Sequence, residues 1–340
     1  MEFRPVERAP DSFQRSITQE QALAMCRQAF GAPVQPTSVI ELGYAAYNNA
    51  YRVDLGTDRP VILRVAPEPS RQSRAERSLM RNEHASVPYL APIAALMPRT
   101  LAADFTHQII GRDYLFQTLL DGVPAPDGLA AYPRPEWAPF FRQLGTITRR
   151  IHEVRGDSFG WVAGPRFARW REAYTSSLAD LAAALEDAGL DAGDIREAAA
   201  AATLHSEIFD EITEPRLLHG DLWIANVMVS PSAAEPTITG VCDCDRTSWG
   251  DPAADWSIYR AGERPGTERD AFWDTYGTFP ATLSAAQRAR FYQILHVGTL
   301  RLEEHRRLGK SEGVQASYKE IRALLAQLQP SGRSRPRPCS

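Results

Sequence analysis

The sequence predicts an α+β protein of two lobes, a small one built on an antiparallel sheet and a larger, mainly helical one after it. Three observations predict this. Residues 37–66 alternate short apolar runs rich in Val, Ile and Tyr (TSVIELG, NAYRVDL, PVILRVA) with Gly, Asn, Asp and Pro, the pattern of strands joined by tight turns. From about residue 135 apolar residues recur at helical spacing, as in EWAPFFRQLGTITRRIHEV. The change from strand period to helix period falls near residues 120–135, which sets the expected lobes at 1–120 and 121–329. The remaining segment, 330–340, is rich in Pro, Arg and Ser and is expected to be disordered.

Taken in order, residues 17–30 predict a helix, followed by the three strands of 37–66. Residues 74–90 predict a second helix, and HQIIGRDYLFQTLLDG two more strands around Gly111, giving five strands with one inserted helix. Residues 166–212 are Ala-rich and broken near Gly189 and Gly193, as expected of scaffold helices. LLHGDLWIANVMVS and TITGVCDCDR then interrupt the helical lobe with strand-like runs before helices resume from about 253 to 328.

Composition excludes several classes of function. The 340 residues carry a net charge of −4, so no global basic field gathers nucleic acid. No run of about 18 apolar residues predicts a membrane span, and the polar opening MEFRPVERAPDSFQRS lacks the apolar core of a secretory signal. Cys242 and Cys244 are too close for an ordinary disulfide, and no second cysteine pair completes a zinc site, so a reducing, cytoplasmic setting is expected. The two lysines are Lys310 and Lys319; every site upstream that needs a fixed side-chain cation must use arginine.

The informative segment is His219-Gly220-Asp221-Leu222-Trp223-Ile224-Ala225-Asn226, lying between apolar runs as a loop between buried elements. Phosphoryl transfer to an alcohol asks little of a protein: one carboxylate to orient or accept the hydroxyl proton, and oxygen ligands for a divalent metal on the phosphates. Asp221 suits the first task and Asn226, five residues on, the second. In Thr239-Gly240-Val241-Cys242-Asp243-Cys244-Asp245, strand alternation is expected to set Asp243 and Asp245 on one side and the cysteines, as small apolar packing residues, on the other. Asp243 then offers the hard oxygen that Mg²⁺ prefers. Trp249-Gly250-Asp251-Pro252-Ala253-Ala254-Asp255 follows, where Asp251 and Asp255 also suit the start of a helix.

HGDLWIANVMV, GVCDCDR and WGDPAADW resemble the catalytic and metal-binding segments of aminoglycoside phosphotransferases and their choline- and fructosamine-kinase relatives, which have a protein-kinase-like fold. The resemblance spans about residues 37–325. It implies Asp221 as catalytic base, Asn226 and Asp243 as Mg²⁺ ligands, and His219 as an organiser of the loop. Cys242 and Cys244 depart from the usual Ile-Asp-Phe-like pattern. The resemblance also implies a nucleotide lobe, with Gly43 and Asn48 in the turn over the phosphates and Arg64 in the place usually held by lysine. Glu83 is its expected partner, with Glu76 as competitor, and the backbone near Thr118 and Leu120 is expected to meet the base. For a hydroxyl-bearing acceptor the C-terminal lobe offers Asp251, Asp255, Tyr259 and Glu303. The function implied is transfer of the γ-phosphate of ATP or GTP to an aminoglycoside-like antibiotic. A metabolic kinase for choline-, fructosamine- or sugar-like substrates is the alternative, and a nucleotide-binding pseudokinase a third.

Overall fold

The strand runs close into one sheet, buried on both faces at its centre, in the computed structural model, which describes residues 1–9, 12–43, 47–57, 59–74 and 76–328. The strands are β1 (Glu2–Arg4), β2 (Ser38–Leu42), β3 (Asn49–Asp54), β4 (Val61–Val65), β5 (Thr100–Asp104) and β6 (Tyr114–Thr118), in spatial order β1-β2-β3-β4-β6-β5. Every pairing is antiparallel except β1 on β2, which adds a strand from the polar opening of the chain.

Helix α1 (Gln19–Phe30) starts where Thr18 accepts from the Gln21 N–H and Gln21 returns the bond to the Thr18 N–H, satisfying two donors that a helix start leaves over. Its Met25 and Cys26 bury against Leu63, Val65, Tyr114 and Phe116 on one face of the sheet. The opposite face meets helix α2 (Leu79–Ser86) with a smaller cluster, Ala66, Met80 and Leu115. Each large apolar side chain so buried contributes about 1.5–3 kcal/mol. Alternation then decides where Arg64 goes. It lies between Leu63 and Val65, in register with Ala50 and Leu115, and projects toward α2.

Two local expectations are corrected. HQII is a turn, not a strand: His107 and Gly111 have φ of 63° and 70°, and the Gly111 N–H bonds His107 O, so the fifth strand is β5 instead. The helix expected over 74–90 is shorter, because a 3₁₀ turn at Glu76–Ser78 precedes α2 and a 3₁₀ run takes over at Val87–Leu96, where Pro88 has no N–H to continue an α-helix.

After the sheet, β7 (Val123–Pro124), α3 (Ala125–Leu129), α4 (Ala138–His152) and β8 (Gly160–Trp161) lead to the strand-like segments of the motif. These are β9 (Arg216–Leu218), β10 (Val227–Val229), β11 (Ile238–Val241) and β12 (Ser248–Gly250), in two small sheets ordered β11-β10-β7 and β8-β12-β9. Helices α8 (Trp256–Gly262) and α9 (Ala271–Tyr276) follow. All of this belongs to one compact unit, residues 1–166 with 214–278.

The second unit, 167–213 with 279–340, is helical, with α5 (Trp170–Asp187), α6 (Gly193–Leu204), α7 (Ser206–Asp210), α10 (Leu283–Glu303) and α11 (Ser311–Leu328). Trp170, Tyr174, Phe209, Phe291 and Tyr292 form its aromatic core. Fully buried Arg301 ties three of its helices, with a fork onto Asp194 at 2.6 and 2.9 Å and a bond to Ser317 at 2.8 Å. The tail 330–340, with Cys339, lies outside the described residues. Among the described residues no helix is long and apolar enough to cross a membrane.

Candidate active site

Arg64 is the hub. Its Nη1 donates to Glu83 Oε1 at 2.5 Å, its Nη2 pairs with Asp243 Oδ1, and only 6% of the residue is exposed. Burial alone would lower the guanidinium pKa, but Glu83, Asp243 and Asp245 together raise it above its ordinary value. Burial pushes the Glu83 carboxyl up, with Asp243 and Asp245 adding to burial and Arg64 opposing it. Two carboxylates thus pair directly with one cation, and the charge of Asp245 is felt there as well. Glu76, the competitor, lies elsewhere and accepts from the Ser73 N–H.

Asp243 is not on a strand. β11 ends at Val241, and Asp243 has φ of 56°, a left-handed conformation that Asp tolerates better than most residues. The expected strand alternation of Asp243 and Asp245 is therefore corrected: the turn, not the pleat, aims Asp243 at Arg64. Asn82, beside Glu83 on α2, fastens this loop by donating to Asp245 O and Thr247 O, both at 2.9 Å. Cys244 is buried and Cys242 half-buried, both free thiols raised by burial, as packing residues are.

The HGD loop is built from below. Gly220 has φ of 81°, and a Cβ there would lie 2.4 Å from Arg246 O, so only glycine lets the loop approach the Asp243–Arg246 segment. The His219 and Gly220 N–H groups donate to the two oxygens of Asp255 at 2.9 and 3.0 Å. His152 Nε2 meets the same carboxylate at 2.9 Å, and Tyr276 Oη meets His152 Nδ1 at 2.9 Å. Burial opposes ionisation of Asp255, but His152, His219 and the loop N–H groups outweigh it and hold its pKa down to about 2. Within the loop, Asn226 Nδ2 donates to Asp221 O at 2.7 Å, which leaves the amide oxygen as its acceptor.

The structure therefore gathers Arg64, Glu83 and Asp243, and ties Asn226 to Asp221. It does not bring every expected acceptor residue to an open surface. Asp255 is 1% exposed and spent on the loop, so it is a brace rather than an acceptor contact. Buried Asp251 caps the 3₁₀ turn Pro252–Ala254. Tyr259 is half-buried against Trp256, and Glu303 belongs to the second unit, near Arg307. Gly43 is exposed at its turn, and Asn48 is buried with its side-chain oxygen unpaired among the described residues; Tyr44–Ala46 of the same turn lie outside them. The Thr118 N–H is already bonded to Arg99 O, while Leu120 packs on Gly240 of β11.

Sequence reasoning missed His152, which carries no local signal in RRIHEV. It also missed the arm before α1. Buried Glu41 accepts from Val6, Arg8, Ser16 and Asn49 at 2.6–2.9 Å, and Gln14 donates to Asn48 O at 2.9 Å, so the arm braces the β2–β3 turn.

A divalent cation fits the donor chemistry. Among the described residues no three His, Cys, Asp or Glu side chains converge on a metal site. Asn226 and Asp243 would offer two hard oxygens to a Mg²⁺ ion, leaving positions for water and phosphate oxygens.

The sheet, its α2 ion pair and the HGD loop below it define a kinase-type phosphotransfer scaffold. The phosphotransferase enzyme family (APH) matches residues 39–292, and the chain belongs to that family. A comparison with curated proteins gives no match. Among solved structures the chain is similar to aminoglycoside phosphotransferase APH(4)-Ia, with 17% identity and a TM-score of 0.63 over 92% of this chain and 100% of that one. It is similar also to the GDP and kanamycin complex of APH(2")-IIIa, with 17% identity and a TM-score of 0.58 over 91% and 99%. A putative aminoglycoside phosphotransferase from Ralstonia eutropha JMP134 matches at 13% identity and a TM-score of 0.61 over 92% and 97%.

Proposed function

We propose that the protein is a small-molecule kinase that moves the γ-phosphate of ATP or GTP onto a hydroxyl of an aminoglycoside-like or related natural product in the cytoplasm. The observation that carries this reading is the convergence of Arg64, Glu83 and Asp243, with Asn226 anchored to Asp221 in the braced HGD loop. Arg64 binds the donor phosphates and Glu83 orients it. An Asp221 carboxylate oxygen accepts the hydrogen bond of the acceptor hydroxyl. The acceptor oxygen bonds to the γ-phosphorus as the bond to the bridging oxygen breaks, the electrons leave with the nucleoside diphosphate, and the proton passes to Asp221 late in the transfer. Asn226 and Asp243 would hold a Mg²⁺ ion that would neutralise charge on the phosphates.

Solved relatives support a nucleotide donor and a hydroxylated acceptor: APH(4)-Ia is described in a ternary complex with AMP-PNP and hygromycin B at 18% identity. One observation favours a second reading. Arg64 already pairs with Asp243, which suits a protein that binds nucleotide without turning it over. Incubation with Mg²⁺ and ATP or GTP across aminoglycosides and choline-, fructosamine- and sugar-like alcohols, read by mass gain of one phosphoryl group, separates them. Transfer to an aminoglycoside-like acceptor is expected. Transfer only to metabolic alcohols selects the metabolic kinase, and no transfer to any acceptor selects the pseudokinase.

A further inference from the structure

A cleft of about 300 Å³ opens between the segment after β4 (Pro67, Pro69, Gln72), the start of α2 and the β5–β6 turn that leads into β6, and no residue of the candidate active site lines it. Arg77, Arg81 and Arg112 line it together with Ser78, His107 and Asp113. The charges do not balance. Asp113 is spent on Arg81, which grips it with Nε and Nη2 at 2.9 Å each, and His107 Nε2 lies 2.7 Å from the same carboxylate. Among the described residues neither Arg77 nor Arg112 has a carboxylate within ion-pair distance.

Arg112 is the decisive group. It is only 6% exposed, yet its one side-chain hydrogen bond among the described residues runs from Nη1 to Arg15 O at 3.0 Å. A guanidinium has five N–H donors, and burying one without a counter-charge is costly. Its pKa is drawn down by burial, with more distant Tyr51, Glu68 and Glu41 offsetting only part. Ser78, the residue before α2, makes no side-chain capping bond, so its hydroxyl is a further donor at the cleft.

We propose that this cleft binds a small dianion carrying a phosphate group, held between the guanidinium groups of Arg77 and Arg112 with Ser78 as a neutral donor. Two guanidinium groups with no carboxylate in ion-pair distance among the described residues match a dianion, whereas a monoanion leaves one of them unpaired. The cleft is roomier than a phosphate ion needs, which suits a phosphate monoester as well as free phosphate. The proposal does not depend on the kinase reading.

Isothermal titration of the full chain with inorganic phosphate, and separately with glycerol 3-phosphate, tests it against acetate, with chloride keeping ionic strength constant. One saturable site is expected for at least one of the two phosphates, tighter than acetate. It should weaken by on the order of tenfold in Arg77→Ser and Arg112→Gln and survive Arg64→Met. The stronger arm identifies the source. Arg77 is exposed, so Arg77→Ser keeps the test decisive if Arg112→Gln fails to fold. Binding of neither phosphate, equal binding of acetate, indifference to Arg77→Ser, or loss in Arg64→Met overturns the proposal.

Discussion

In the proposed reading Arg64 bears on nucleotide, metal and fold at once. A planar guanidinium holds two carboxylates from separate nitrogens in a fixed fork, as it does with Glu83 and Asp243, where a lysine would offer three donors from one point. The proposed role requires one of those edges to turn to phosphate. Arg64→Ala removes a charge-assisted contact worth about 1.5–3 kcal/mol, so nucleotide affinity or kcat should fall by on the order of 10- to 100-fold. Nucleotide titration and steady-state kinetics check it, and unchanged values for both place the triphosphate elsewhere. Arg64 was legible in the sequence because it is the cation of an apolar strand in a chain with no lysine before Lys310. Asp255 was not: its helix-start position pointed outward, and the His219, Gly220 and His152 contacts that bury it come from segments distant in the chain.

At the scale of the element, the HGD loop is a tight turn held by buried polar groups, and its chemistry predicts how stability depends on pH. His219 is fully buried, with both ring nitrogens unpaired among the described residues, and burial lowers its pKa. The unfolded chain therefore takes up a proton at His219 before the folded one does, and stability falls as pH drops through the ordinary histidine range. Asp255 acts later. Its folded pKa of about 2 lies below the ordinary 3.8, so its contribution is complete above that value and is lost as pH falls toward 2. That contribution is on the order of 2 kcal/mol. Urea unfolding at pH 7, 5 and 3 should show both losses, with His219→Gln flattening the first and Asp255→Asn the second. A variant that keeps the wild-type pH slope in its own range contradicts the assignment. The HGDLWIAN spacing revealed this loop, and Gly220 was visible in it. The left-handed turn at Asp243 was hidden, because CDCD alternates as a strand would.

At the scale of the molecule, the antiparallel sheet and the helical segments after it were legible from short β-branched apolar runs between turn residues and from apolar residues at helical spacing. The arm before α1 was not, because it docks through Glu41 and backbone groups rather than through an apolar pattern. The cleft at Arg112 was equally hidden, since its residues come from three separate segments. What unites the chain is the claim that the sheet and the HGD loop meet to move a phosphoryl group, with Asp221 taking the proton. Asp245 is the rival carboxylate: it is buried, and its charge is felt at Arg64. Single-turnover transfer to an identified acceptor, measured for Asp221→Asn and Asp245→Asn beside the parent, tests this most directly. The account predicts a loss of about 10²–10⁴ in rate for Asp221→Asn with acceptor binding retained, and a smaller loss for Asp245→Asn. A crippled Asp245→Asn beside an Asp221→Asn that transfers at the parent rate would contradict it.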